Sequence, residues 1–116
     1  VSAGRHVILD CYECDHHALK DQVYLETLLC QSAREAGATI LHTYFHKFDR
    51  GEGVTGVVAL SESHISIHTW PEYGFMAIDI FMCSDCDPSV AIDYVIKEMD
   101  VKHYNVQKLI RGDKIG

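Results

Sequence analysis

The stretch HISIHTWPEYGFMAIDIFMC, His64 to Cys83, decides the fold. Its first part alternates: Ile65, Ile67 and Thr69 point to one side of an extended chain, and His64, Ser66, His68 and Trp70 point to the other. Pro71 and Gly74 mark a turn. The chain then alternates again, with Met76, Ile78, Ile80 and Met82 on one face and Phe75, Ala77, Asp79, Phe81 and Cys83 on the opposite one. Two strands joined by so short a turn pair antiparallel.

Working outward, VTGVVALS before this stretch is β-branched and reads as a third strand, with Gly56 marking a close backbone approach. TILHTYFHKF, Thr39 to Phe48, reads as a strand ended by the DRGEG turn. HVILDCY near the start and HYNVQKLI near the end are two more strands. DQVYLETLLCQSAREAG places Leu25, Leu28, Leu29, Ala33 and Ala36 on one helical face, with Gly37 at its C-terminal cap. Asp87-Pro88 reads as an N-cap followed by proline at the first helical position, opening a helix that buries Ala91, Tyr94, Val95 and Met99. The order β-α-β-β-β-β-α-β predicts an α+β fold: a two-layer α/β sandwich, an antiparallel sheet with helices on one face. FMAIDIFM is apolar on both faces, which predicts that the second face of the sheet stacks on that of another subunit in a homodimer. The 116 residues are expected to form a single domain, 1–116.

Composition narrows the function classes. A formal net charge of −7 with no basic run argues against a nucleic-acid partner. No apolar run is long enough to span a bilayer, and VSAGRHVILD has no signal-peptide pattern, so no membrane association and a cytoplasmic location are expected. The five cysteines, an odd number, are then expected as reduced thiols.

Several polar residues invite chemistry. Cys11-x-x-Cys14 and Cys83-x-x-Cys86 could hold a tetrahedral zinc, but the pairs lie far wider apart than zinc-ribbon ligands do. His42, His46, His64 and His68 resemble a metal constellation, against which stands their ordinary use as polar-face hydrogen-bonders; no metal is expected. Trp70 is more often a packing residue and Glu72 more often a solvated turn residue. Ser63 with His68 could be a hydrolase pair, yet no G-x-S-x-G elbow presents the serine. Periodicity alone leaves Glu62-Ser63 as an unexplained polar junction between two strands.

SESHISIHTWPEYG…AIDIFMCSDCDP, together with GRHVILDCYECD, GATI, FHKF, GVTGVV and the Arg111-Gly112 pair, closely resembles the bacterial and archaeal pyruvoyl-dependent S-adenosylmethionine decarboxylase proenzymes. The resemblance implies self-cleavage between Glu62 and Ser63. Ser63 Oγ attacks the Glu62 carbonyl, an ester forms, and β-elimination followed by hydrolysis leaves a self-generated pyruvoyl group at position 63. It assigns His68 to the elimination step, where a neutral imidazole is a suitable base. It makes the pyruvoyl carbonyl the electron sink that forms a Schiff base with the substrate amine. It makes Cys83 the proton donor after carbon dioxide leaves. Phe48 corresponds to the aromatic that stacks on adenine and Glu72 to the carboxylate that receives the ribose hydroxyls; Trp70 joins them as substrate-binding. Thr55 stands where the family commonly has serine, and supports processing with the same hydroxyl.

The resemblance further implies S-adenosylmethionine as substrate, a product that donates aminopropyl groups in spermidine synthesis, and a homodimer of processed protomers. The first alternative is a pyruvoyl-dependent arginine or ornithine decarboxylase, because the S-E-S-H core makes the cofactor and not the pocket. The second, of another class, is a non-enzymatic zinc-stabilised module built on the two C-x-x-C pairs.

Overall fold

The computed structural model describes residues 3–115; the outermost positions of the span 1–116 lie outside the described residues. Six strands, β1 (Gly4–Tyr12), β2 (Ile40–Lys47), β3 (Val54–Leu60), β4 (Ser63–Trp70), β5 (Phe75–Cys83) and β6 (His103–Arg111), form one antiparallel sheet in the order β2-β3-β4-β5-β1-β6. The run β2 to β5 is a meander, and β1 enters between β5 and β6. Helices α2 (Gln22–Glu35) and α3 (Pro88–Glu98) cover one face, with the short α1 (His16–Lys20) beside the turn after β4.

The alternation in β4 and β5 holds as the sequence predicts. Ile65, Ile67, Met76, Ile78, Ile80 and Met82 are buried on the helix side, with Leu25, Leu28, Leu29 and Ala33 of α2 and Ala91 and Val95 of α3 in the same core. Each such side chain contributes roughly 1.5–3 kcal/mol on burial. In α3, Ile92 is buried where Tyr94 and Met99 were expected; those two are only half-buried at the layer's rim. Gly56 permits a close approach, since a Cβ there would run into the ring of Phe45 on β2.

Helix boundaries follow their caps. Asp87 accepts from Ser89 N–H at 3.0 Å with Pro88 at the first position, as read from the sequence. Gly37, at φ 86°, ends α2 with Gly37 N–H donating to Arg34 C=O and Ala38 N–H to Ala33 C=O. Helix α1 is an addition to the predicted order. Asp15 caps it and Asp21 caps α2 immediately after, so five helical residues sit between two caps, too few to show a period.

Thr69 is the polar residue of the buried β4 face. Its hydroxyl donates to Leu19 C=O (2.8 Å) and accepts from Val54 N–H (2.8 Å), tying α1 and the start of β3 to β4. Thr69→Val keeps the shape and orphans both groups. Each unsatisfied buried group typically costs about 1–3 kcal/mol. A lowered urea midpoint in Thr69→Val, with an unchanged slope, is the expected result; an unchanged midpoint would show that water reaches these groups.

Candidate functional site

The uncovered face of the sheet carries the outward residues of all six strands. It is less apolar than the sequence of β5 implied. Phe75 lies 5.3 Å from both Tyr12 and Trp70, centroid to centroid, and Phe81 packs 6.0 Å from His64 and 6.2 Å from His6. Among these rings sits a polar pair, with His6 Nε2 and Asp79 Oδ1 2.9 Å apart. The side chain at each outward position follows from its neighbours' register, for example His64 opposite Phe81 and His68 opposite Ala77.

Glu62-Ser63 lies at a hairpin turn. Leu60 pairs with Ser63, so Ser61 and Glu62 alone reverse the chain. Glu62 has φ 58°, a left-handed backbone that costs a side-chain-bearing residue roughly 1–2 kcal/mol. Glu13, Glu52 and Asp100 share this conformation, so it does not by itself mark a site. What distinguishes Glu62 is its fixation: Ser61 N–H donates to Thr39 C=O at 3.0 Å, and Ser63 Oγ accepts from Cys83 N–H at 3.0 Å. Cys83, at the end of β5, is thus in direct contact with Ser63. An open cavity of about 450 Å³ adjoins the turn, lined by Glu62, Ser63, His64, Phe81 and Arg111 among others.

A second cavity, about 270 Å³, gathers Phe48, Thr55, His68, Trp70 and Glu72 at the other end of β4. Thr55 faces His68 across β3 and β4, with Thr55 Oγ1 and His68 Nδ1 3.0 Å apart. When Nδ1–H donates to the hydroxyl, Nε2 keeps its lone pair and is free to act as a base. Phe48, 48% exposed, is held at the cavity by its backbone N–H donating to Gly53 C=O at 2.8 Å. The loop between β2 and β3 is pinned by Glu52, which pairs with Lys20 (3.3 Å) and Lys47 (3.6 Å); the Lys20 and Lys47 ammonium groups hold its carboxyl below the usual range. Arg50, which the sequence reading passed over, lines this cavity; its place in the DRGEG turn gave no signal beyond solvation.

The predicted residues therefore fall into two groups. Ser63 and Cys83 meet, and Phe48, Thr55, His68, Trp70 and Glu72 meet, but the groups do not. Ser63 and His68 are five positions apart on one strand, roughly 16 Å at the rise of a β-strand, and they face opposite sides of the sheet.

The four cysteines of the zinc alternative also do not converge. Cys11 is opposite Met76 and Cys83 is opposite Gly4, seven positions away along β1 or roughly 23 Å, whereas zinc–sulfur bonds are about 2.3 Å. Among the described residues no three or more His, Cys, Asp or Glu side chains are grouped to hold a metal ion. All five cysteines are free thiols. A mutual hydrogen bond pushes the buried Cys11 thiol far up and Cys14 down. Burial pushes the Cys86 thiol up.

The S-adenosylmethionine decarboxylase family model matches residues 5–112. The chain belongs to the S-adenosylmethionine decarboxylase family. It is 46% identical to an S-adenosylmethionine decarboxylase proenzyme of Thermotoga maritima, over 99% of this chain and 90% of that one. It is also 46% identical to the proenzyme of that name from Carboxydothermus hydrogenoformans, over 94% and 86% of the two chains. Among solved structures, the adenosylmethionine decarboxylase of Aquifex aeolicus VF5 superposes with a TM-score of 0.84 at 36% identity, covering 96% of this chain and 92% of that chain. The Trypanosoma brucei AdoMetDC-delta26 monomer, at 15% identity and a TM-score of 0.59, covers 88% of this chain and 44% of its own and shares the fold. Membership of the S-adenosylmethionine decarboxylase family gives no support to the arginine or ornithine alternative or to the zinc module. No helix of the described residues is long and apolar enough to cross a membrane.

His64, next to Ser63, is pushed toward the neutral form by burial first, then by His6 and Arg111, with Asp79 opposing. Its folded pKa lies below the unfolded value near 6.5, so the unfolded chain takes up the proton first as pH falls. Folding stability is therefore expected to drop below about pH 6.5. His64→Gln should flatten this part of the urea-midpoint curve; an unchanged slope would remove His64 from the set of groups responsible.

Proposed function

We propose that this chain is the proenzyme of a pyruvoyl-dependent S-adenosylmethionine decarboxylase that cuts itself between Glu62 and Ser63. The observation that carries this reading is the Glu62-Ser63 peptide itself, held at a two-residue turn with Glu62 left-handed and Ser63 Oγ oriented by Cys83 N–H. A peptide fixed on both sides resists relaxing away from attack, and its backbone strain is released once the bond is broken. The Ser63 hydroxyl adds to the Glu62 carbonyl carbon and the carbon–nitrogen bond breaks, giving an ester. A base then takes the Ser63 Hα, the Cβ–Oγ bond breaks and Glu62 leaves as a carboxylate; the dehydroalanine left at position 63 tautomerises to an imine, which water hydrolyses to the pyruvoyl group with release of ammonia. The residues at position 63 fit the group expected there: a serine on an open cavity beside a cysteine. That pyruvoyl group supplies an electron sink for loss of carbon dioxide from S-adenosylmethionine. Cys83 returns a proton to the substrate carbon, Phe48 and Trp70 take the adenine, and Glu72 accepts hydrogen bonds from the ribose hydroxyls. The product would serve as the aminopropyl donor for spermidine.

The base for elimination is His68, oriented by Thr55, and it comes from a second copy. Within one chain the two groups lie at opposite ends of β4. A two-fold axis that stacks the open faces with their β4 strands antiparallel brings the Glu62-Ser63 turn of one protomer, whose cavity Ser63 shares with the open-face residues His64, Phe81 and Arg111, against Thr55, His68 and Glu72 of the other, forming two equal sites. Support comes from the aromatic and aliphatic side chains this face leaves in solvent, including Tyr44 (59% exposed), Val57 (41%) and Trp70 (39%). One domain spanning 1–116, working in the cytoplasm with its thiols reduced, completes the reading.

The cleavage step predicts that wild-type protein runs as two chains on a denaturing gel and Ser63→Ala as one. Wild type should release carbon dioxide from carboxyl-labelled S-adenosylmethionine and none from arginine or ornithine; the opposite pattern would overturn the substrate. The composite site predicts complementation. Ser63→Ala and His68→Ala are each inactive alone, while their co-expressed mixture recovers about a quarter of wild-type activity, because half the dimers hold one intact site of two. No recovery in mixed dimers demonstrated by native mass would place the whole site within one chain.

A further inference from the structure

Arg111 closes β6 directly opposite Gly4 of β1, and Gly4 is in turn opposite Cys83 of β5. Gly4 has no Cβ, and none could fit, since it would run into the Met82 carbonyl oxygen. The row between Arg111 and the turn is therefore clear of a side chain. Arg111 uses that clearance: its guanidinium carbon lies 5.5 Å from the centre of the Phe81 ring, two strands away from its own backbone. Phe81 is opposite His64, the residue after Ser63. Arg111, Glu62 and Ser63 line the same cavity. The other ionisable lining groups are Glu62, an acid, and His64, which burial holds toward neutrality. Among the described residues, Arg111 is thus the permanent cation of this cavity.

The proposed cleavage creates negative charge in that cavity. In the ester, Glu62 is joined through its α-carbonyl to Ser63 Oγ. When the Ser63 Hα is removed, its electron pair becomes the Cα=Cβ bond. The Cβ–Oγ bond breaks with its pair on oxygen, and Glu62 becomes a chain-terminal carboxylate. The proton goes to the base, and no oxidant or reductant takes part. A preorganised cation where such charge develops lowers the barrier, because it needs no reorganisation during the step. We propose that Arg111, poised on Phe81, is the group that receives the Glu62 carboxylate as it departs, and so drives self-cleavage from within the chain that is cut. This rests on the cleavage reading above. The Phe81 ring keeps the guanidinium in place without neutralising it. The anchor of this strand end is a backbone bond, Ala3 N–H to Arg111 C=O at 2.9 Å, which a side-chain substitution leaves intact.

The test follows full-length proenzyme made by cell-free translation, sampled over time on a denaturing gel and by intact mass. Arg111→Ala is expected to split about 10²-fold more slowly than wild type, as for loss of one preorganised charge donor. Arg111→Lys should retain most of the rate. Added guanidinium ion should accelerate Arg111→Ala and leave the uncut Ser63→Ala unchanged, a rescue that a merely structural role for Arg111 would not give. Arg111→Ala splitting at the wild-type rate would overturn the proposal while leaving the cleavage reading in place. Equal slowing in Arg111→Ala and Arg111→Lys without guanidinium rescue, at unchanged far-ultraviolet circular dichroism, would overturn it too. Wild-type protein that never splits would remove the cleavage reading and this proposal together.

Discussion

A strand can bury only every second residue, and β4 is where this molecule uses that constraint most fully. Ile65 and Ile67 go into the core with Thr69, whose two hydrogen bonds let a polar side chain sit there. His64, Ser66, His68 and Trp70 are thereby directed to the uncovered face. The same period governs β5, so the apolar content that folds the sheet and the polar content that gives it chemistry come from one continuous run of sequence. Reactive residues in strand-forming sequence are no contradiction, because His64, His68 and Trp70 take the side that Ile65 and Ile67 leave free.

The constraint also separates the chemistry. A hairpin turn and the far end of its strand cannot meet in a flat sheet. Ser63 with Cys83 and Thr55 with His68 are each locally complete, and each lacks what the other holds. The proposed stacking of two copies would resolve this with no rearrangement of either. It would also account for the mixture on the open face, where aromatic rings lie around the His6–Asp79 pair.

Much of this was legible in the sequence where the cause is local. The faces of β4 and β5, the cap at Asp87-Pro88, the glycine ending α2 and the close approach at Gly56 all follow from residues within a few positions of one another. Helix α1 was hidden because two aspartate caps leave it less than two turns long. The insertion of β1 between β5 and β6 was not readable, since pairing partners 65 to 107 residues apart (Cys11↔Met76 to Gly4↔Arg111) leave no local trace. For the site, resemblance named residues one by one, and the structure grouped most of them into one cavity. The gap between Ser63 and His68 could have been counted directly, as five strand residues are already too long for a hydrogen bond. Arg111 and Arg50 carried no period or motif of their own, and their placement depends on strand register and loop closure.

If the proposed cleavage occurs, the strand order has a consequence for the life history of the protein. A break after Glu62 assigns β1, β2 and β3 to one piece and β4, β5 and β6 to the other. In the sheet these alternate in blocks, with β1 of the first piece clasped between β5 and β6 of the second. Cutting the turn removes no strand pairing, so the halves stay interleaved as a heterodimer without a covalent link. Refolding after denaturation then becomes an encounter between two chains, dependent on concentration, where the first folding was the collapse of one. The molecule would fold once as a single chain and afterwards persist by slow unfolding rather than by ready return, a kinetic form of stability set at the moment of maturation.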